Sequence, residues 1–182
     1  MEYPERPELS PRSCITLMGM AGAGKTTVGQ ALALELDWVH MDTDRLIEAH
    51  WGRPLQYVYD GMGREAFIKA EENLVAGLDL CRTVISTGGS VVYGPRAVSR
   101  LRTLGPVIYL RPDVETVTRR VADAEGRGLC IAPGQTVADL YAERLPLYEA
   151  SADLTLDSGR LSPRECALAV RSWLFPPGVK IP

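Results

Sequence analysis

The residues that could do chemistry begin with one lysine. Gly19-Met20-Ala21-Gly22-Ala23-Gly24-Lys25-Thr26 satisfies GxxxxGK[ST] at every fixed position. Gly19 and Gly24 allow backbone angles that aim successive N–H groups at phosphate oxygens. Lys25 brings positive charge to the β- and γ-phosphates. Thr26 offers a hydroxyl to Mg²⁺, and the helix that follows presents its positive end. Lys25 is one of three lysines in a chain with seventeen arginines. With glycine at about 7% of ordinary sequence, a chance match in this length has odds below about one per cent. A strand-like apolar run, Cys14 to Met18, precedes the loop, and a helical pattern follows it. The combination predicts nucleotide binding.

A second group is acidic. Asp42 and Asp44 stand two residues apart at the end of the apolar run Trp38 to Met41. Two carboxylates so placed can face one cleft, one steadying a metal and the other orienting a hydroxyl. The competing reading makes Asp44 a helix cap. The two are compatible.

The elements that must position these groups follow from periodicity. Strands are expected at Cys14–Met18, Trp38–Met41, Thr83–Ser86, Val107–Leu110 and Leu154–Leu156. Helices are expected at Thr26–Leu36, Asp44–Ala49, Arg64–Leu78, Pro95–Leu104, Asp113 to about Ala124, Val137–Leu145 and Pro163–Leu174. Phe67, Ala70, Leu74 and Leu78 form the expected buried stripe of the third of these. Strands alternating with helices imply an α/β fold with a parallel sheet covered on both faces. Glu125 to Gln135, with its glycines and proline, reads as a mobile loop.

Composition bounds the class. The 182 residues are 46% hydrophobic and 24% charged, with net charge −3. That is one ordinary soluble domain, or one domain with a small mobile appendage. No apolar run approaches the ~20 residues of a membrane span, and the acidic balance gives no reason to expect nucleic acid. Met1 to Ser13 is too rich in Pro and Glu for a signal peptide. Cys14, Cys81, Cys130 and Cys166 form no CxxC pair, and His40 and His50 are the only histidines. Zinc is not expected, and the cysteines read as buried apolar residues of a reduced cytoplasm.

Beyond the phosphate loop, four stretches resemble the shikimate kinases, small P-loop enzymes of the nucleoside-monophosphate-kinase type. They are Asp42-Thr43-Asp44-Arg45-Leu46-Ile47-Glu48, Gly63-Arg64-Glu65-Ala66-Phe67-Ile68-Lys69-Ala70-Glu71, Thr87-Gly88-Gly89 and Arg144-Leu145-Pro146-Leu147-Tyr148. The resemblance implies a five-stranded parallel sheet of order 2-3-1-4-5 with a lid. It implies a single kinase domain over 14–175, an acceptor-binding part at about 44–78 and a lid at about 125–135. Segments 1–13 and 176–182 would be tails. It implies ATP-dependent phosphorylation of a hydroxyl on a small molecule, in a cytoplasmic monomer. Gly22, Ala23, Gly24, Lys25, Thr26, Thr27, Arg120 and Pro163 would hold ATP, with Arg120 against adenine. Thr26 and Asp42 would hold Mg²⁺, the latter through water. Asp44 would grip acceptor hydroxyls, Gly88 and Gly89 would let the acceptor approach the backbone, and Arg144 would bind its carboxylate. Arg127 would close over the transferring phosphoryl group.

The chain also departs from the family pattern. The arginine that follows phenylalanine in the family, and that also binds the acceptor carboxylate, is Ile68 here. The glutamate of that motif is Arg64. The usual GGG reads Gly88-Gly89-Ser90, and the lid reads Arg127-Gly128-Leu129-Cys130. Isoleucine cannot hydrogen-bond a carboxylate. Losing one of two guanidinium contacts costs about 2–4 kcal/mol of acceptor binding. Arg64, four residues earlier on the same helix face, could reach back in its place. Lys69, turned about 100° away, is the poorer substitute. Two acceptor readings therefore compete: shikimate with a rearranged grip, or a different, less acidic hydroxyl compound. A non-catalytic nucleotide-binding regulator would have no use for Asp44 or Arg127. A nucleoside monophosphate kinase would need a base pocket that the sequence does not display.

Overall fold

A computed structural model describes residues 4–5, 7–123, 131, 134–176, 178–179 and 181. Five short strands make one sheet: β1 (Ile15–Met18), β2 (Val39–Asp42), β3 (Thr83–Ser86), β4 (Val107–Leu110) and β5 (Leu154–Leu156). Their order is β2-β3-β1-β4-β5, and every pairing is parallel. Parallel strands need crossovers, and helices supply them. These helices are α1 (Lys25–Leu36), α2 (Thr43–Trp51), α3 (Leu55–Met62), α4 (Arg64–Ala76), α5 (Pro95–Leu104), α6 (Val114–Ala122), α7 (Val137–Ser151) and α8 (Pro163–Leu174).

The strand alternation divides the core. Ile15 and Leu17 of β1 and Ile108 and Leu110 of β4 pack on one face with Val28 and Leu32 of α1 and Val170 and Trp173 of α8. Met18, Val107 and Tyr109 pack on the other with Val75 of α4, Leu101 of α5 and Tyr148 of α7. Burial on both faces explains why these strands read as unbroken apolar runs. A smaller cluster of Ile47, Val58 and Phe67 joins α2, α3 and α4 at one end.

Three expectations are corrected. The segment 55–62 forms α3, where no helix was expected. It is too short to persist alone, and Val58 holds it against Ile47 and Phe67. Helix α7 runs through Pro146 to Ser151 rather than stopping at Leu145. Proline removes one helical N–H, but buried Arg144 and Tyr148 anchor the helix on both sides of it. On α4 the buried stripe is Phe67, Glu71, Glu72 and Val75, with Ala70 and Leu74 only half-buried. Of the cysteines, Cys14 and Cys166 are buried, Cys81 is exposed, and Cys130 lies outside the described residues.

Candidate active site

Strand order reverses at β1: the chain leaves β1 for β2 at one edge of the sheet, and the crossovers to β3, β4 and β5 then run toward the other edge. In parallel sheets such a point leaves a crevice at the carboxyl ends of the strands. Here the crevice is a cleft of about 740 Å³, lined by Ala21–Thr27, Asp42, Asp44, Ser90 and Arg144 among others.

The phosphate loop leaves β1 and ends at Gly24, which caps α1 with φ 91. Gly22 has φ 80. Both values lie in the left-handed region that glycine adopts without strain. Lys25 Nζ donates to the Gly19 and Met20 carbonyls, each at 2.8 Å, which ties the lysine across the loop. Ser158 donates to the Ala23 carbonyl at 2.9 Å, and Arg120 Nη1 donates to the Gly22 carbonyl at 3.0 Å. Arg120 of α6, Leu161 and Pro163 wall the same end of the cleft. Thr27 turns its hydroxyl back to the Gly24 carbonyl.

Asp42 ends β2 and caps α2, accepting the Asp44 N–H at 3.0 Å. The cap is thus Asp42, and Asp44 sits in the first helical turn facing the cleft. Thr26 donates to the second oxygen of Asp42 at 2.7 Å. A hydroxyl and a carboxylate side by side are hard oxygen donors, the set that suits Mg²⁺ held partly through water and phosphate. Enclosure of Asp44, and then the neighbouring charge of Asp42, push its carboxyl up to about 6 against the pull of Lys25.

Gly88 lies between two carboxyl groups. A side chain there would meet Glu71 Oε1 and come within 2.7 Å of Asp44 Oδ1. Glycine is required by close approach, not by its backbone angles. Its N–H donates to Thr43 Oγ1 at 2.9 Å, which fixes the turn against α2. Gly89 lines the cleft beside Arg144, whose Nη1 lies 2.9 Å from the point where a Gly89 side chain would begin. Tyr148 donates to the Gly89 carbonyl at 2.6 Å. Arg144 is 1% exposed, its Nε donating to the Tyr93 hydroxyl at 3.2 Å and its guanidinium lying 5.2 Å from that ring.

The loop after β1, the end of β2 with the start of α2, and the turn after β3 place Gly22, Ala23, Gly24, Lys25, Thr26, Thr27, Asp42, Asp44 and Gly89 around one cleft, and α6, α7 and α8 add Arg120, Arg144 and Pro163. Ile68 does not line it. It packs half-buried against the cluster of Ile47, Val58 and Phe67. Arg64 does not line it either. Its Nη2 donates to Glu143 at 2.9 Å, and its guanidinium lies 5.1 Å from the Tyr93 ring. Lys69 pairs with Glu72. Arg127 and most of the expected lid lie outside the described residues.

The shikimate kinase family model matches residues 21–175. A shikimate kinase of Thiobacillus denitrificans is 37% identical over 85% of this chain and 86% of its own, and that of Chromohalobacter salexigens 39% over 82% and 85%. The solved structure of "Shikimate kinase from Acinetobacter baumannii in complex with shikimate" superposes with a TM-score of 0.83 at 29% identity, covering 92% of this chain and 96% of that one. The chain belongs to the shikimate kinase family. It is an ATP-dependent kinase that phosphorylates a hydroxyl of a small molecule.

Against that family frame, the residues missed by sequence reasoning stand out. Glu71 is 1% exposed, its Oε2 accepts from Ser90 at 2.5 Å, and its Oε1 has no hydrogen-bond partner among the described residues. Burial, followed by the charge of Asp44, pushes its carboxyl up to about 7. Its spacing four residues after Phe67 puts both on one helix face, but that spacing alone does not tell a buried carboxyl from a solvated one. Tyr93, which orients Arg144, carries no spacing signal that marks it.

Proposed function

We propose that the protein transfers the γ-phosphoryl group of ATP to a hydroxyl of a small hydroxy acid whose carboxylate is held by one buried arginine, Arg144. Shikimate, the compound for which the relatives are named, is the first acceptor to consider. The observation that carries the reading is the convergence of Lys25, Asp44 and Arg144 on one cleft. Asp44 orients the attacking hydroxyl and takes its hydrogen bond. Lys25 swings from the loop carbonyls to the phosphates when ATP enters. Thr26 and Asp42 would hold Mg²⁺, which supplies charge neutralisation between the phosphates. Arg127, the lid arginine by resemblance, offsets charge on the transferring group.

A second reading is favoured by Ile68, which supplies no guanidinium, and by Arg64, which is engaged with Glu143 and Tyr93 away from the cleft. On that reading shikimate is a poor acceptor and a different hydroxyl compound is the better one. One chain builds the whole cleft, which supports action as a monomer. Free Cys14, Cys81 and Cys166 fit a reduced, cytoplasmic setting. Among the described residues no helix is long and apolar enough to cross a membrane. The test is ADP formation with shikimate, quinate and a panel of small polyols, with mass identification of the phosphorylated product. Acceptor-stimulated ADP formation is expected. ATP hydrolysis that no acceptor stimulates would contradict the proposal.

A further inference from the structure

Positions 68 and 71 are one turn apart on α4, so their side chains are neighbours. An arginine at 68 would lie beside Glu71. With Ile68 there, the buried carboxyl draws its only described hydrogen bond from Ser90, the residue that replaces the third glycine after β3. Two departures from the family pattern thus meet at one carboxyl group. A buried acid without a donor is costly, and Ser90 is the group that supplies one.

Ser90 is 4% exposed and lines the cleft. Its single hydroxyl proton is committed to Glu71, so what it turns toward a ligand is an oxygen lone pair. That wall accepts hydrogen bonds where a guanidinium would have donated them. Beside it, Glu71 Oε1 and Asp44 Oδ1 both converge on Gly88. A carboxylate is unwelcome at this wall, and a hydrogen-bond donor such as a hydroxyl fits.

We infer that Ile68 and Ser90 are one coupled specificity device acting through Glu71, selecting an acceptor that presents a hydrogen-bond donor to Ser90 and its single carboxylate to Arg144. This rests on the reading above that this end of the cleft holds the acceptor. Glu71, whose free oxygen is closed to solvent, acts as a positioning residue through Ser90.

The experiment is a double-mutant cycle on the whole chain with Ser90→Ala and Ile68→Arg. Without ligand, Ser90→Ala lowers Tm by about 3–6 °C, because Glu71 loses its donor. Adding Ile68→Arg restores at least half of that loss. Should the arginine variant fail to fold, Ser90→Ala in a Glu71→Met background leaves Tm unmoved if Ser90 acts through Glu71, the leg on which the coupling depends. With acceptor, the double variant lowers KM for shikimate tenfold or more relative to either single variant, with a smaller change in kcat. It loses activity with acceptors that carry a donor at that position. Additive changes in Tm, or a full Ser90→Ala effect in the Glu71→Met background, overturn the inference. Coupled Tm values with no acceptor-stimulated turnover in any variant would leave the Ile68–Ser90 coupling intact and overturn both the functional reading and the specificity role built on it.

Discussion

Lys25 brings one ammonium group to the mouth of the glycine loop, where it already bonds two loop carbonyls. Lys25→Ala removes charge stabilisation from the transferring phosphoryl group, and kcat should fall about 10²–10³-fold or more. Lys25 is half-buried and lines the cleft, so water entering from the cleft replaces the ammonium at the carbonyls and Tm should stay near the wild-type value. Near-normal turnover would contradict the assignment. Glu71 gives a pH prediction. Its carboxyl is pushed up to about 7, well above an unfolded glutamate. The folded state therefore holds the proton more tightly than the unfolded chain. The resulting stability is present below the unfolded pKa and is lost as pH rises through about 7. Tm should fall between about pH 5 and pH 8, and Glu71→Gln should flatten that slope. An unchanged slope would show that Glu71 is ionised throughout. Lys25, Asp42 and Asp44 were legible in the sequence because their spacing states their chemistry. Glu71 was not, because a carboxylate on an amphipathic helix reads as its solvent side unless burial is known.

At the scale of elements, α7 carries Arg144, the residue proposed to grip the acceptor's carboxylate. Arg144 and Tyr148 lie one turn apart, on either side of Pro146, and both face the turn after β3. Tyr148→Phe removes the hydrogen bond to the Gly89 carbonyl and leaves a buried acceptor. It should cost about 1–3 kcal/mol in urea unfolding and raise KM for the acceptor more than KM for ATP. Equal effects on both KM values would mean that the bond serves only the fold. The helix boundary here was misread, since proline signals an end in sequence while tertiary contacts carry α7 onward. Helix α3 was missed for a related reason. Leu55–Met62 contains valine, two tyrosines and a glycine, residues of modest or poor helix propensity. Packing of Val58 rather than local preference makes it helical. The central strands β1, β3 and β4 were legible almost residue by residue, because burial on both sheet faces leaves a short run without an exposed polar face.

At the scale of the molecule, the reversal of strand order beside β1 gathers the phosphate loop, the β2 aspartates and the glycine turn at one edge of the sheet. That architecture predicts that ATP with Mg²⁺ raises Tm, the shift growing with the logarithm of its concentration once the site is filled. The shift should shrink in Lys25→Ala and be largely kept in Arg144→Ala, because Lys25 belongs to the phosphate loop while Arg144 packs beside Gly89 and Tyr93. Loss of the ATP shift in Arg144→Ala would mean that Arg144 serves the nucleotide as well as the acceptor. The acceptor's identity was the least legible feature, since it turns on what Ile68, Arg64 and Ser90 touch rather than on which motif they interrupt. The most direct measurement is kcat/KM for shikimate in the wild-type protein and in Arg64→Ala, alongside the best acceptor of the panel. A single buried arginine gripping the carboxylate predicts shikimate turnover below about 10⁴ M⁻¹s⁻¹, a better acceptor elsewhere in the panel, and no effect of Arg64→Ala on either. A wild-type value of about 10⁴ M⁻¹s⁻¹ or more, with shikimate the best acceptor, would contradict the weakened grip. Loss of shikimate turnover in Arg64→Ala would place the second guanidinium at Arg64 after all.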